Sequence, residues 1–418
     1  MEAFSYLGDE LYCEATPLRQ IADATGTPTY VYSRQALLDR FTAYDHAFAD
    51  VPHLICYAVK ANGNLGLLHC LAQAGAGADV VSGGELYRAL RAGIDPKKIV
   101  FAGVGKNREE MREALKADIL LFNVESPAER ALINEVACAE GVRARVALRI
   151  NPDIDPQTHP YISTGLKSSK FGIPIARAEA EYETASRLPG IEVVGLHMHI
   201  GSQITSLQPY ADSLERVAAL VERLRKKGIA IHLLDLGGGL GIRYKDESPP
   251  APEEYTRLLI STINALGVTV IIEPGRSIVG NAGALLTRVL YWKTGEAKEF
   301  LIVDAAMNDL IRPSLYNAYH EILPVRRVDG LPRATVDVVG PICESGDFLA
   351  KGRELPRVEG GELLAVLSAG AYGFAMSSNY NGRPRAAEVL VAGNRFSIVR
   401  RRESYEDLVA GEQFPEAG

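Results

Sequence analysis

Three runs set the fold: His53-Leu54-Ile55-Cys56-Tyr57-Ala58-Val59-Lys60, Gly77-Ala78-Asp79-Val80-Val81-Ser82 and Lys98-Ile99-Val100-Phe101-Ala102-Gly103. Each is a short apolar run, and the stretches 84–92 and 107–116 that follow the second and third have helical spacing of their apolar residues. Working outward, the same alternation continues through strand-like runs at 119–124, 145–150, 193–200, 232–238 and 269–275, eight in all. Strands alternating with helices imply crossover connections and a parallel sheet, and eight such units predict an α/β fold with a (β/α)8 TIM-like barrel. A doubly wound open sheet is the alternative, but it rarely needs eight strands.

Past Arg276 the pattern changes. Runs at 285–291, 300–304, 334–339, 363–367 and 388–399 read as strands with few helices between them. They predict a second, antiparallel β domain, a sandwich with Greek-key-like connections. The strand-like stretches 10–14 and 29–33 are too short to fold alone and are expected to join it. The expected division is a barrel over 30–277 and a β domain made of 1–29 together with 278–418.

Composition narrows the function. A net charge of -7 offers no broad positive field for nucleic acid or anionic lipid. A small molecule is the expected partner, with no nucleic acid and no membrane. Residues 1–12 carry Glu2, Asp9 and Glu10 and lack the basic start and apolar run of a signal peptide. The five cysteines, Cys13, Cys56, Cys70, Cys138 and Cys343, are odd in number and scattered, which suits reduced thiols in a cytoplasmic enzyme.

Barrels of this kind carry their chemistry at the C-terminal ends of the strands, so polar residues that end apolar runs are the candidates. The first strand ends on Lys60, partly desolvated and hence with a lowered pKa, an amine able to form a Schiff base. Taken singly, such a lysine is more often a solvated strand end. The seventh runs into Asp235-Leu236-Gly237-Gly238-Gly239-Leu240-Gly241, where successive glycines expose amides to an anion at the loop this fold commonly uses for phosphate. The eighth ends Glu273-Pro274-Gly275-Arg276, which reads either as a local ion pair or as a carboxylate beside a ring nitrogen with a guanidinium near phosphate. The sixth ends His197-Met198-His199-Ile200-Gly201-Ser202-Gln203 and turns both histidines to one side. A metal pair would need further ligands at other strand ends, so no metal is expected. The other reading stacks an imidazole on a flat cofactor with Ser202 on its phosphate, and leaves His197 as a core residue.

These residues resemble a family, the alanine-racemase-like or fold type III pyridoxal-phosphate decarboxylases, and within it the branch that acts on diaminopimelate. The resemblance runs almost the full chain and includes Asn151-Pro152 through Thr158-His159-Pro160-Tyr161-Ile162-Ser163-Thr164-Gly165 to Ser169-Lys170-Phe171-Gly172. It continues through Asn308-Asp309-Leu310-Ile311-Arg312-Pro313, Tyr316, Cys343-Glu344-Ser345-Gly346-Asp347, Ala371-Tyr372-Gly373 and Ser378-Asn379-Tyr380-Asn381. It implies pyridoxal 5'-phosphate as cofactor, held covalently by Lys60, stacked by His199 and faced at its ring nitrogen by Glu273. Asp79, Ser202, Gly238, Gly239, Gly275, Arg276 and Tyr372 would complete the cofactor site. Arg276, Arg312, Tyr316 and Tyr372 would receive the substrate, with Glu344 on its distal amine and Cys343 returning a proton to Cα. The implied reaction is decarboxylation of an amino acid, meso-2,6-diaminopimelate, by a homodimer that shares its active sites. A decarboxylase of ornithine, arginine or carboxynorspermidine, a racemase-type isomerase and a non-catalytic binding protein are the alternatives. An isomerase would favour arginine over Glu273 at the ring nitrogen, and an intact Lys60 and Cys343 speak against a binding protein.

Overall fold

The computed structural model describes residues 3–155, 170–328 and 330–415. They fall into two compact units, one of residues 38–243 and 247–278, the other of 1–37, 244–246 and 279–418. The chain opens with β1 (Phe4–Leu7), β2 (Glu10–Cys13) and β3 (Thr16–Pro17), an antiparallel three-stranded sheet, then α1 (Leu18–Thr25) and β4 (Thr29–Ser33). After α2 (Arg34–Ala47) comes the barrel.

Its eight strands are β5 (His53–Ala58), β6 (Gly77–Val80), β7 (Ile99–Phe101), β8 (Leu121–Val124), β9 (Ala144–Asn151), then, after the two-residue β10 (Ile173–Pro174), β11 (Ile191–His197), β12 (Leu233–Asp235) and β13 (Thr269–Ile272). All pair in parallel, and β13 pairs β5 while β8 pairs β9, so the ring closes. Cys56, Val100, Leu121, Ala147 and Ile271, from five strands around that ring, meet in one fully buried cluster, which makes the barrel interior a packed core. Six of the eight strands end two or three residues short of the expected runs, because the polar residues there leave the ladder to build loops, whereas β8 ends at Val124 as expected and β9 runs one residue further, to Asn151. Those loops also start helices: Ser82 accepts from the Glu85 amide to cap α4 (Gly83–Arg91), with α3 (Leu65–Gln73) preceding it. Asn107 and Glu110 form a capping box for α5 (Arg108–Lys116).

The other unit is a mixed sheet. Its strands are β14 (Gly283–Thr294), β15 (Glu299–Val303), β16 (Ile322–Pro324), β17 (Arg333–Val339), β18 (Ala350–Pro356), β19 (Leu363–Val366), β20 (Ala387–Ala392) and β21 (Arg395–Arg400). Most pair antiparallel, but β15 with β17 and β4 with β20 run parallel. The expected single run at 388–399 is a hairpin, turned at Gly393, whose φ of 62° suits glycine. All five residues of β4 are buried between β14 and β20, so the expected boundary after residue 29 falls inside a strand of this sheet. Leu11, Leu18, Ile21 and Val31 from the N-terminal stretch share a core with Leu286, Leu363 and Val389. Among the described residues, no helix is long and apolar enough to cross a membrane.

Candidate active site

The C-terminal ends of the barrel strands surround a cavity of about 590 Å³ lined by Lys60, Arg149, Phe171, His197, His199 and Glu273, among others. Lys60 sits on a single 3-10 turn that follows β5 directly, with Val59 and Ala61 buried on either side. Its amine pairs with Asp79, a fully buried carboxylate on the adjacent β6, in register with Ala58. Burial, and Glu273 nearby, push the Asp79 carboxyl up, while Lys60 partly offsets them. Asp79 and Lys60, both expected at the cofactor, thus come together.

His199 follows β11, lines the cavity, and accepts from the Gly238 amide through Nδ1 at 3.2 Å. Burial and then the Arg149 guanidinium hold its imidazole well below the ordinary range, so it is a neutral ring. The same bond engages the Gly238 N–H that the sequence offers to phosphate. The glycines have a packing reason as well. A Cβ on Gly238 would lie 2.1 Å from the Glu273 carbonyl oxygen, and Gly237 and Gly239 have φ of 66° and 110°. On Gly275, a Cβ would approach that of Ala58 to 2.9 Å. Arg276 opens α6 (Arg276–Val279) almost fully buried and donates to Ser202 Oγ at 3.0 Å, which brings together two groups expected at a phosphate.

Glu273, 5% exposed, has company the sequence reading did not name. The Asn123 amide on β8 donates to Glu273 Oε1 at 3.2 Å and to Asp235 Oδ2 at 2.9 Å. His197 at the end of β11 places Nε2 3.6 Å from Glu273 Oε2, longer than a hydrogen bond, and neither of its ring nitrogens has one. Ligating atoms of His197, Asp235 and Glu273 lie within 4.8 Å of one another. Two carboxylates at that separation would repel by about 3 kcal/mol at an effective dielectric near 20. One of the two is therefore the better proton holder. Burial, then Glu273, push Asp235 well above the carboxylate range; burial pushes Glu273 the same way but is outweighed by His197 and Lys60, which hold it low. The three could also enclose a cation, but an amide N–H aimed at both carboxyls suits a shared proton better.

Arg149, near the end of β9, is a further cavity residue absent from the expected set. It donates to Glu125 Oε1 at 2.7 Å and lies 4.7 Å from the centre of the Phe171 ring. Its signal was present, a polar residue near the end of an apolar run. The same applies to Asn123 and Asp235.

The remaining expected residues belong to the mixed-sheet unit. Arg312 starts α7 (Arg312–Tyr316), almost fully buried, with its guanidinium 4.5 Å from the Tyr244 ring centre. Its Nη1 lies 2.9 Å from Nε2 of the fully buried His320, whose Nδ1 faces the Leu367 carbonyl at 2.9 Å. The carbonyl requires Nδ1–H, so Nε2 is the acceptor and Arg312 is fixed through a defined tautomer. Tyr316 ends the same helix, half-buried. Cys343 and Glu344 are exposed on the loop after β17, and buried Asp347 anchors that loop by accepting from the Met307 and Ile342 amides, each at 2.8 Å. Asn381, in the last of the resemblance motifs, accepts from the Cys343 amide at 2.7 Å. Tyr372 is held at a φ of 55°. The motif from Thr158 to Gly165, and Ser169, lie outside the described residues.

Residues 34–280 match the family described as the pyridoxal binding domain of pyridoxal-dependent decarboxylases. The chain belongs to the pyridoxal-dependent decarboxylases. It is 58% identical over 412 residues to a diaminopimelate decarboxylase of Pseudomonas aeruginosa, covering 99% of each chain. A diaminopimelate decarboxylase of Aquifex aeolicus is 54% identical, with 97% of this chain and 96% of the relative covered. The crystal structure of the M. jannaschii diaminopimelate decarboxylase in complex with L-lysine superposes with a TM-score of 0.94 at 39% identity, covering 99% and 98% of the two chains. The cofactor of these decarboxylases, pyridoxal phosphate, suits the barrel cavity: an amine, a buried carboxylate and a neutral imidazole line one space, and Ser202 with Arg276 form a donor pair fit for phosphate.

Proposed function

We propose that this decarboxylase converts meso-2,6-diaminopimelate to L-lysine and carbon dioxide, the last step of lysine biosynthesis. The observation that carries the reading is Lys60 and Glu273 lining one cavity, in a chain with near full-length similarity to diaminopimelate decarboxylases. Bound pyridoxal phosphate supplies an aldehyde for amines and a ring that accepts the electron pair left behind by carbon dioxide. Lys60 would hold the cofactor through its side-chain amine. Glu273 would keep the ring nitrogen protonated, His199 would lie against the ring, and Ser202, Arg276 and glycine amides of the 237–239 and 275 turns, with Tyr372, would hold the phosphate.

The substrate's distal end is itself an amino acid, so both its charges need partners. Arg276, Arg312 and Tyr316 take the distal carboxylate and Glu344 the distal amine, while Cys343 returns the proton to Cα. The exposure of Cys343 and Glu344 on an anchored loop supports their use by a second copy, in a cytoplasmic homodimer with shared sites. The test is carbon dioxide release by the purified protein with pyridoxal phosphate from meso-diaminopimelate, L-lysine, L-ornithine and L-arginine in separate reactions. Release from the first alone is expected, and release from any other at a comparable rate contradicts the substrate assignment.

A further inference from the structure

The carboxyl pair under the cavity raises a question that the family reaction leaves open: which of the two carries charge. Asp235 is fully buried at the end of β12 and Glu273 nearly so after β13. Both receive hydrogen bonds from one Asn123 amide nitrogen, and Asp235 Oδ1 also accepts from the Gly237 N–H at 2.9 Å. The groups facing them are Cys56 and Lys60 from β5 and its turn, Asp79 from β6, His197 and His199 from β11 and its loop, and Tyr255 from the helix over 252–266. Lys60 is already paired with Asp79, and no other lysine or arginine pairs with Asp235 or Glu273 among the described residues.

We propose that Asp235 is a protonated positioning partner of Glu273: the two carboxyls, bridged by Asn123 and faced by His197, hold one proton between them, which rests on Asp235 and leaves Glu273 as the carboxylate turned to the cofactor ring. This rests on the reading of Glu273 as the group beside the pyridine nitrogen. The proton spares Glu273 a second negative charge as neighbour, and the Asp235 O–H fixes its carboxylate in place. Burial, then Glu273, keep Asp235 above the usual carboxylate range, in keeping with this assignment.

The test compares Asp235→Asn, a permanently neutral isostere, with Asp235→Ala in the full chain. A carboxyl that must stay protonated to fold contributes stability at low pH that is lost as pH rises from the ordinary carboxylate range toward its raised value. In the protein without cofactor, the melting temperature of Asp235→Asn is therefore expected to gain on wild type steadily as pH rises above the ordinary carboxylate range. A difference that is flat, or that grows in favour of wild type, means Asp235 is ionised and overturns the proposal. With pyridoxal phosphate added, Asp235→Asn is expected to keep the dissociation constant within about threefold, and Asp235→Ala to weaken it by about tenfold or more. Equal losses in the two variants overturn it as well. Should wild type fail to bind pyridoxal phosphate at all, the reading of the cavity falls, while the cofactor-free pH series still decides where the proton lies.

Discussion

The barrel and the mixed-sheet unit hold their candidate site residues in different ways. In the barrel, Lys60, Asp79, Asp235 and Glu273 sit at or next to the ends of the adjacent strands β5, β6, β12 and β13, and Asn123 on β8 meets the last two across the ring, so the closed ladder also sets their distances. In the mixed-sheet unit, Arg312, Cys343, Glu344 and Tyr372 lie on a short helix and on loops, each held by its own local device: His320 behind Arg312, Asp347 and Asn381 around Cys343, a left-handed backbone at Tyr372. Closure of a barrel fixes electronics that must not vary. On the proposed function, loops on a sheet leave room to read the far end of a substrate.

Removing the amine should separate the two regions most sharply. Lys60→Ala is expected to abolish the visible band of bound cofactor and to cut turnover by at least about 10³-fold, read by absorbance and carbon dioxide release. Retention of both would mean that the barrel does not hold the cofactor. Cys343→Ala should instead leave the band intact and lower turnover by about 10²- to 10⁴-fold, as expected for loss of a general acid. An unchanged rate would remove the loop from the chemistry.

Packing offers a milder way to split them. Leu286 on β14 is fully buried in the mixed-sheet core, and Leu286→Ala is expected to cost about 2–5 kcal/mol in denaturant unfolding while leaving the cofactor band of the folded protein unchanged. A lost band would show that the barrel site depends on the packing of that sheet. In the barrel, burial above all raises the Glu85 carboxyl to about 7, although it accepts from the Val81 amide. A raised carboxyl favours the fold at low pH, and that contribution fades as pH rises from about 4.5 to about 7. Glu85→Gln keeps an acceptor and does not titrate, so it should gain on wild type over this range, by no more than about 3 kcal/mol at pH 8. A difference that does not change with pH would place Glu85 in water.

The same contrast explains how much could be read from the chain. All eight barrel strands, Lys60, Glu273 and the His199 stretch were legible, because alternating β and α runs and polar strand ends follow from local pattern. Asp235, Asn123 and Arg149 obey that rule too, but a single polar residue within an apolar run says little about which neighbour it will meet across the ring. The mixed sheet was less legible. Its parallel pairing of β4 with β20 joins residues from opposite ends of the chain, and β18, Ala-Lys-Gly-Arg-Glu-Leu-Pro, shows no alternation to announce a strand. The roles of Arg312, Tyr316 and Glu344 came from family resemblance alone, since short helices and loops carry no periodic signal.

Borohydride reduction of the protein incubated with pyridoxal phosphate, followed by proteolysis and mass spectrometry, tests the central claim most directly. The cofactor mass is expected on the one peptide that contains Lys60. A modified peptide lacking Lys60 under the same conditions, with the Lys60 peptide unmodified, would contradict it.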